Sequence, residues 1–179
     1  TVLFCDIRGF TEVSQRLASE ELLSLLNRFH AAMSAAVFAE RGSVNRILGD
    51  GLLAVFGVPE ALVGHAAAGV RAALAMQRAA AELSPIWSAA TGVALHIVVT
   101  LNCGELIAGT LGDRSHSEFT VLGDVVNVAA RLEVEAKRRD APILLTEAVR
   151  SAAALEHTES IGALELRGRV GTVLVHRLG

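Results

Sequence analysis

The sequence predicts an α+β fold, an α/β sandwich with a ferredoxin-like βαββαβ core and additional C-terminal α/β elements. Three observations support this prediction. Strand-like and helix-like segments follow one another in the order strand, helix, hairpin, helix, strand. The long segments between the strands carry apolar residues at helical spacing. The chain has 179 residues, 52% of them hydrophobic, which suits one domain spanning residues 1–179 with a sizeable core.

The chain starts with a predicted strand and a predicted helix. Residues 1–7 are rich in branched and aromatic side chains, as in strands. A turn is predicted at 8–11, where Gly9 can bring the backbone close to a ligand. Ser19 is the expected N-cap of the first helix, and Gly42 its left-handed C-terminal residue. Seven residues between them recur at helical spacing: Leu22, Leu23, Leu26, Phe29, His30, Met33 and Val37.

A hairpin and a second helix are predicted next. The apolar runs 44–48 and 52–56 are separated by the glycine-aspartate-glycine sequence 49–51, which is typical of a tight turn. An alanine-rich helix is predicted over 61–83, followed by a loop, because Pro85 is expected to end it.

Alternating strands and helices are predicted for the remainder of the chain. They comprise strands at 93–101 and 105–110, a polar loop tip at 113–117, a strand at 118–122, a helix at 124–138, a strand at 142–145, a short helix at 147–153 and β-structure from 157. In the ferredoxin-like arrangement the first strand and the second hairpin strand are neighbours. We therefore expect the end of the first strand to lie beside the hairpin tip.

The composition limits the classes of partner and compartment. The net charge of −3 offers no positive field to attract nucleic acid or an acidic membrane surface. Cys5 and Cys103 make no disulfide framework, which favours a reducing compartment. We find no apolar run of about 18 residues that could span a bilayer. We expect a cytoplasmic domain of a longer protein with further domains, and a membrane anchor outside these residues is compatible with that expectation.

Two carboxylates are predicted to meet at the hairpin tip. Asp6 ends the first strand and Asp50 lies in the predicted turn. Two such groups repel unless a cation holds them or one is protonated, and hard oxygen ligands suit Mg²⁺ or Mn²⁺. Taken singly, Asp6 could cap the following turn and Asp50 could be an ordinary turn residue. Their joint placement favours a metal site.

A second candidate pair lies on the helix predicted at 124–138. Asn127 and Arg131 are four residues apart and share one helix face. Such a pair can orient a hydroxyl and clamp a phosphate, since arginine is well matched to phosphate charge. The alternative is the solvated polar stripe of an amphipathic helix.

Four segments, in this order, carry a resemblance to a known family. They are VLFCDIRGFT at 2–11, GDGLLAVFG at 49–57, FTVLGDVVNVAARLE at 119–133 and LRGR at 166–169. The chain resembles the catalytic domain of the class III nucleotidyl cyclases, the adenylate and guanylate cyclases. The threonine at 120 matches a version common among bacterial adenylate cyclases. One such segment is a weak signal, whereas all four with these spacings are specific.

The resemblance implies the conversion of ATP to 3′,5′-cyclic AMP and pyrophosphate with two Mg²⁺ or Mn²⁺ ions per active site. Asp6 and Asp50 match the metal-binding aspartates of the family, and the carbonyl of Ile7 matches a backbone ligand. This chemistry would be an in-line displacement at the α-phosphorus.

The resemblance also implies the residues that hold the nucleotide phosphates. Gly9, Phe10 and Thr11 match a backbone turn that cradles the polyphosphate. Arg167 stands where the family usually has a lysine for the terminal phosphates.

Asn127 and Arg131 match the ribose-orienting asparagine and the arginine that stabilises the transition state. In the family, the metal aspartates come from one subunit, and the base-reading residues with this asparagine and arginine come from the other. The resemblance therefore implies a head-to-tail homodimer with shared active sites, because one chain carries both sets.

The residues that match the base-reading positions leave the nucleotide open. Thr120 matches the threonine that accepts from adenine N6, whereas Arg46 replaces the usual lysine. Arg46 can donate to adenine N1 or to guanine O6, or it can be an exposed charge on the hairpin. We favour ATP, with GTP or relaxed specificity as the alternative.

Two other classes of protein are alternatives to a cyclase. A catalytically weak, nucleotide-binding regulatory domain would fit the arginines at 46 and 167. A phosphate-accepting receiver domain would fit Asp6 at a strand end, but receivers alternate strand and helix, and this chain has an early hairpin.

Overall fold

The computed structural model describes residues 1–113 and 117–179, which form five helices and nine strands in those ranges. In chain order they are β1 (Val2–Ile7), α1 (Phe10–Ser14), α2 (Ser19–Ala39), β2 (Ser43–Leu48), β3 (Gly51–Val55), α3 (His65–Thr91), β4 (Ile97–Asn102), β5 (Ile107–Gly112), β6 (Ser117–Leu122), α4 (Asp124–Arg138), β7 (Ile143–Thr146), α5 (Glu147–Ala152), β8 (Glu159–Glu165) and β9 (Thr172–Leu178). Of the polar loop tip predicted at 113–117, residues 114–116 lie outside the described residues.

Seven strands form one sheet in the order β2-β3-β1-β4-β7-β9-β8. The first four are antiparallel neighbours, and with α2 and α3 they make the ferredoxin-like core predicted from the sequence. β7 then adds in parallel to β4, and β9 and β8 complete the sheet. β5 and β6 form a separate antiparallel hairpin. The predicted α+β class is confirmed.

Both faces of the sheet are covered. Successive β1 side chains point to opposite faces, so each face of β1 contributes to a different part of the core. Leu3 and Cys5 belong to the core that α2 and α3 share with the sheet. Val2 and Phe4 pack on the other face, in a cluster that includes Ala129 of α4. This two-sided burial explains why β1 is an almost continuous apolar run.

Buried polar contacts position α4 on its face of the sheet. Thr100 Oγ1 donates to the carbonyl oxygen of Ala129 over 2.7 Å. Asn102 Nδ2 donates to the carbonyl oxygen of Val125 over 3.1 Å, and Asn102 Oδ1 accepts from Thr146 Oγ1 over 2.8 Å. Because these groups are buried, losing a partner would cost a full desolvation penalty, which holds the helix in one register.

The end of β1 lies beside the tip of the β2–β3 hairpin, as predicted. Asp6 is the register partner of Gly51, and the Ile7 amide donates to the carbonyl oxygen of Asp50 over 3.3 Å. A side chain at Gly51 would place its Cβ only 2.6 Å from the carbonyl oxygen of Cys5. Glycine is therefore required for this close approach of the two strands.

The predicted ends of the first long helix were wrong. Ala18, in an extended conformation, precedes α2, and Ser19 is its first helical residue. The left-handed residue after α2 is Arg41, with φ 59°, and Gly42 is not in that region. A Cβ at Gly42 would lie 2.4 Å from the Phe56 ring, so this glycine serves close packing.

The predicted turn at 8–11 was also too long, because α1 begins at Phe10.

The predicted end of the second long helix was wrong as well. α3 starts at His65 and runs through Pro85 to Thr91. The C-terminal extension buries Trp87 in the core, and that burial outweighs the hydrogen bond that proline cannot donate. Gly92, in the left-handed region, ends the helix by donating to the carbonyl oxygen of Ser88 over 2.9 Å. β4 and β5 also start later than predicted, at Ile97 and Ile107.

One helix among the described residues, α2, is long and apolar enough by length and composition to cross a membrane, contrary to the expectation from the sequence. Its residues Leu25, Phe29 and Met33 are buried in the core shared with α3 and the sheet. One face of α2 therefore packs on the core, while most of its apolar stretch is not buried.

Candidate active site

Asp6 is a buried carboxylate in a mostly negative setting. Its side chain is 15% exposed. Burial raises the pKa of Asp6 to about 6, with Lys137 acting in the opposite direction and the charges of Glu133 and Asp50 raising it further. The charge of Asp50 raises the pKa of Asp6, and the strand register pairs Asp6 with Gly51. Both observations indicate that the two predicted carboxylates lie near each other. A cation at this position would relieve the unfavourable charge.

Lys137, near the end of α4, provides such a cation. Its Nζ lies 2.6 Å from Asp6 Oδ1 and 2.8 Å from Glu133 Oε1. Burial alone would lower the pKa of Lys137. The two carboxylates together have the larger effect, so the pKa of Lys137 is raised above its usual value. Sequence analysis missed Lys137 and Glu133, although their i,i+4 spacing marks an ion pair on a helix.

The residues at the end of β1 fit a divalent metal ion. Asp6 Oδ1 is buried against the Lys137 ammonium at 2.6 Å, and because a carboxylate has about four lone-pair sites, Asp6 keeps acceptor capacity beyond this one ion pair. Gly51 leaves space next to the other carboxylate oxygen, where a Cβ would lie 3.4 Å from Oδ2. In residues 1–113 and 117–179 no group of three or more histidine, cysteine, aspartate or glutamate side chains could hold a metal. Two carboxylates and a carbonyl still suit Mg²⁺, which takes its other ligands from water and phosphates.

The predicted phosphate-binding turn follows the metal residues directly. Gly9 is left-handed with φ 69° and precedes α1. A Cβ at Gly9 would meet nothing within 4 Å, so the turn is open. Phe10 and Thr11 form the first turn of α1, where backbone amides lack partners within the helix.

The residues matched to base reading lie together on one chain. Arg46 of β2 pairs side-on with Glu118 of β6, with Nε–Oε1 at 3.0 Å and Nη2–Oε2 at 2.8 Å. The adjacent Asn45 Nδ2 donates to the carbonyl oxygen of Phe119 over 3.1 Å. Thr120 is two residues from Glu118 and faces the same side of β6. Glu118 was missed by sequence analysis, although the alternation at 118 and 120 could have indicated it.

Asn127 and Arg131 lie on α4 with no ion pair or side-chain hydrogen bond to any residue that the structure describes. A Cβ at Gly168 would lie 3.6 Å from Arg131 Nη2, so Arg131 is next to the loop that carries the predicted Arg167. Arg167 itself is exposed. The LRGR loop and the arginine of α4 therefore belong to one surface.

The two halves of the predicted site lie on different sides of α4. Glu133 and Lys137 face the chain's own Asp6. Arg131 and Glu133 are two residues apart, which corresponds to about 200° around a helix. Asn127 lies about 120° from Glu133 and about 80° from Lys137 around the helix, so Asn127 and Arg131 lie on a side different from the one that meets Asp6. The structure brings Asp6 close to Asp50 and joins Arg46 to Glu118, two residues before Thr120, but it does not bring Arg131 to the carboxylates.

Comparison with known proteins decides the family. The sequence profile of the adenylate and guanylate cyclase catalytic domain matches residues 1–178. The chain belongs to this cyclase family. The resemblance inferred from the four sequence segments is confirmed.

The cyclase domain is similar to proteins named for either nucleotide. It is 33% identical over 153 residues to an adenylate cyclase of Anabaena cylindrica, covering 83% of this chain and 30% of that protein. The structure of the adenylyl cyclase CyaB from P. aeruginosa has a TM-score of 0.90 at 30% identity, covering 99% of this chain and 92% of that one. The guanylate cyclase domain of RhGC from Catenaria anguillulae, in complex with GTP, has a TM-score of 0.84 at 28% identity, covering 98% and 92%.

The cyclase domain spans about a third or less of the curated relatives it matches. An uncharacterized protein of Mycobacterium tuberculosis is 36% identical over 143 residues, which is 80% of this chain but 25% of that protein. The family assignment therefore describes the catalytic domain.

Proposed function

We propose that this domain is an adenylate cyclase that converts ATP to 3′,5′-cyclic AMP and pyrophosphate in a head-to-tail homodimer. The observation that carries the proposal is the division of α4. Glu133 and Lys137 on one side of this helix face the chain's own Asp6, whereas the exposed Asn127 and the partly exposed Arg131 lie on a different side. A second copy of the chain, placed head to tail, would complete each site. The family assignment supports this chemistry.

In the reaction, the ribose 3′ oxygen forms a bond to the α-phosphorus and the bond to the bridging oxygen of the β-phosphate breaks. Pyrophosphate leaves, and the hydroxyl proton passes to solvent. Asp6, Asp50 and the carbonyl of Ile7 would hold two divalent ions, and such ions would acidify the 3′-hydroxyl and neutralise the phosphates. Asn127 of the second copy orients the ribose. Arg131 of that copy donates to the charge that develops on the phosphoryl oxygens.

The remaining matched residues bind the ends of the substrate. The amides of Gly9, Phe10 and Thr11 surround the terminal phosphates, where unpaired N–H groups favour an anion. Arg167, in the loop beside Arg131, adds a positive charge for the same phosphates. These groups hold the leaving pyrophosphate in line with the attacking oxygen.

Arg46 and Thr120 read the base. Arg46 donates to adenine N1 and Thr120 accepts from N6. The similarity to adenylate cyclases of Anabaena cylindrica and P. aeruginosa supports ATP. Guanylate cyclases are also similar to this chain, and the arginine can donate to guanine O6, so GTP or relaxed specificity is the second candidate.

The test is product formation by the purified domain with ATP or GTP and Mn²⁺. We expect cyclic AMP and equal amounts of pyrophosphate, and a loss of at least about a hundredfold in Asp6→Asn, because the amide is a poor ligand for a hard cation. Glu159→Gln at the far edge strand β8 is the control and should keep full activity. Nucleotide binding without product above the Asp6→Asn background would instead identify a regulatory domain.

A further inference from the structure

Lys137 contacts the chain's own metal-site carboxylate from the helix that carries Asn127 and Arg131. Its ammonium is shared between Asp6 Oδ1 at 2.6 Å and Glu133 Oε1 at 2.8 Å. The Lys137 side chain is 37% exposed, against 15% for Asp6 and 25% for Glu133. The ion pair is therefore better protected from solvent than an ordinary surface pair.

The position of Lys137 is fixed by a second contact between the same two segments. Arg8, directly after β1, donates from Nη2 to the carbonyl oxygen of Lys137 over 3.4 Å. The other end of the Arg8 guanidinium pairs with Asp140, just beyond α4. The last turn of α4 is thus anchored to the loop that carries the metal residues, and the lysine is directed at Asp6.

We propose that Lys137 is a resident counter-ion, which occupies the Asp6 side of the metal site in the metal-free chain and moves onto Glu133 when a divalent ion binds. This inference rests on the proposed function, because it takes Asp6 as a metal ligand. Lys137 is a positioning residue here, since it acts on the metal ligand and not on the substrate.

The charges around Asp6 give the physical reason. A doubly charged ion bound to the Asp6 carboxylate would stand within a few ångströms of the ammonium, and the two positive charges would repel. Glu133 gives Lys137 a partner one helical turn away, so the lysine can leave Asp6 without losing its ion pair. Without metal, the lysine keeps the buried carboxylate from being an unpaired charge, which would be costly.

The test is Mn²⁺ binding without nucleotide, measured by electron paramagnetic resonance of free Mn²⁺. Because the competing cation is gone, Lys137→Met should tighten binding about two- to fivefold, the range expected for one ion pair. Lys137→Gln should act in the same direction while keeping a polar group at this position. The melting temperature of each variant should fall without Mn²⁺ and approach that of the wild type at saturating Mn²⁺.

Arg138→Met is the matched control, because it removes the same charge from the next residue of α4. Arg138 pairs with Glu135, and its side chain is 64% exposed, so its loss should leave Mn²⁺ binding unchanged. Unchanged or weaker Mn²⁺ binding in both Lys137 variants would overturn the proposal. Equal tightening in Arg138→Met would also overturn it, by showing a general effect of net charge.

Wild-type binding separates this result from a failure of the proposed function. If Asp6→Asn binds as much Mn²⁺ as the wild type, or if the wild type binds none, Asp6 is not a metal ligand. Both the metal site and the counter-ion are then excluded. If the wild type binds Mn²⁺ at Asp6 and the Lys137 variants do not differ from it, only the counter-ion is excluded.

Discussion

At the scale of single residues, the side-on pair between Arg46 and Glu118 determines which donors face the base. Glu118 engages Nε and Nη2 of the guanidinium over 3.0 and 2.8 Å. Nη1 and the second N–H of Nη2 then form the edge that remains for a nucleotide. Because the guanidinium is a planar fork, the pair with Glu118 limits its rotation and thereby the direction of donation.

We predict that Arg46→Lys raises the ratio of cyclic AMP to cyclic GMP formed. A lysine offers one point-like donor, which suits adenine N1, whereas the arginine fork can pair with both O6 and N7 of guanine. The change should be about tenfold, the value of one good hydrogen bond. Competing ATP and GTP in one assay measures it. Arg28→Lys, on the exposed side of α2, is the control, and an unchanged ratio would show that Arg46 does not read the base.

At the scale of elements, α4 links the two halves of the proposed chemistry. Its buried residues pack on the sheet, and the contacts from Thr100 and Asn102 hold its register. The helix therefore presents one polar side to Asp6 and a different polar side, with Asn127 and Arg131, away from it. The joint between α2 and β2 is a second element-level constraint, because Gly42 packs against the ring of Phe56 and Val37.

We predict that Gly42→Ala destabilises the domain by about 1–3 kcal/mol through overpacking. The added Cβ would lie 2.4 Å from Phe56 Cε1 and 2.8 Å from Val37 Cγ1, and both side chains are buried. Urea denaturation followed by circular dichroism measures the free energy of unfolding. Gly109→Ala on β5 is the matched control, since its Cβ would meet nothing within 4 Å. Equal stability of the two variants would contradict the packing role of Gly42.

At the scale of the whole molecule, no single chain completes the proposed site. Arg131 lies beside Gly168, and Asp6 lies beside Lys137 on the other side of the helix. The β5–β6 hairpin, whose exposed apolar residues include Ile107, Leu111 and Leu122, offers a surface for a second copy. Activity should therefore depend on the pairing of chains.

We predict that two inactive variants restore activity when mixed. Asp50→Ala removes a metal ligand, and Arg131→Ala removes the group from the second copy, so a mixed dimer keeps one intact site. Random pairing should give about a quarter of wild-type activity, because half of the dimers are mixed and each has one of two sites. A mixture of Asp50→Ala with Asp6→Ala is the control and should stay inactive. Activity no higher than that control would exclude sites shared between chains.

The sequence was sufficient for the fold class and for the approach of Asp6 to Asp50. Element order alone predicts that β1 and β3 are neighbours, because few topologies suit a strand, helix, hairpin, helix and strand. The same reasoning brought out Asn127 and Arg131, since helical spacing places residues four apart on one face. Roles for these residues rest on the family and remain predictions.

Only the tertiary structure decided how helices end and which charges meet. α3 continues through Pro85 because Trp87 gains burial in the core, and local propensity contains no information on that gain. The contacts of Glu118 with Arg46 and of Lys137 with Asp6 join residues 72 and 131 positions apart. Such contacts depend on where the sheet places each element. Local sequence patterns cannot predict them, because the packing that brings these residues together exists only in the folded chain.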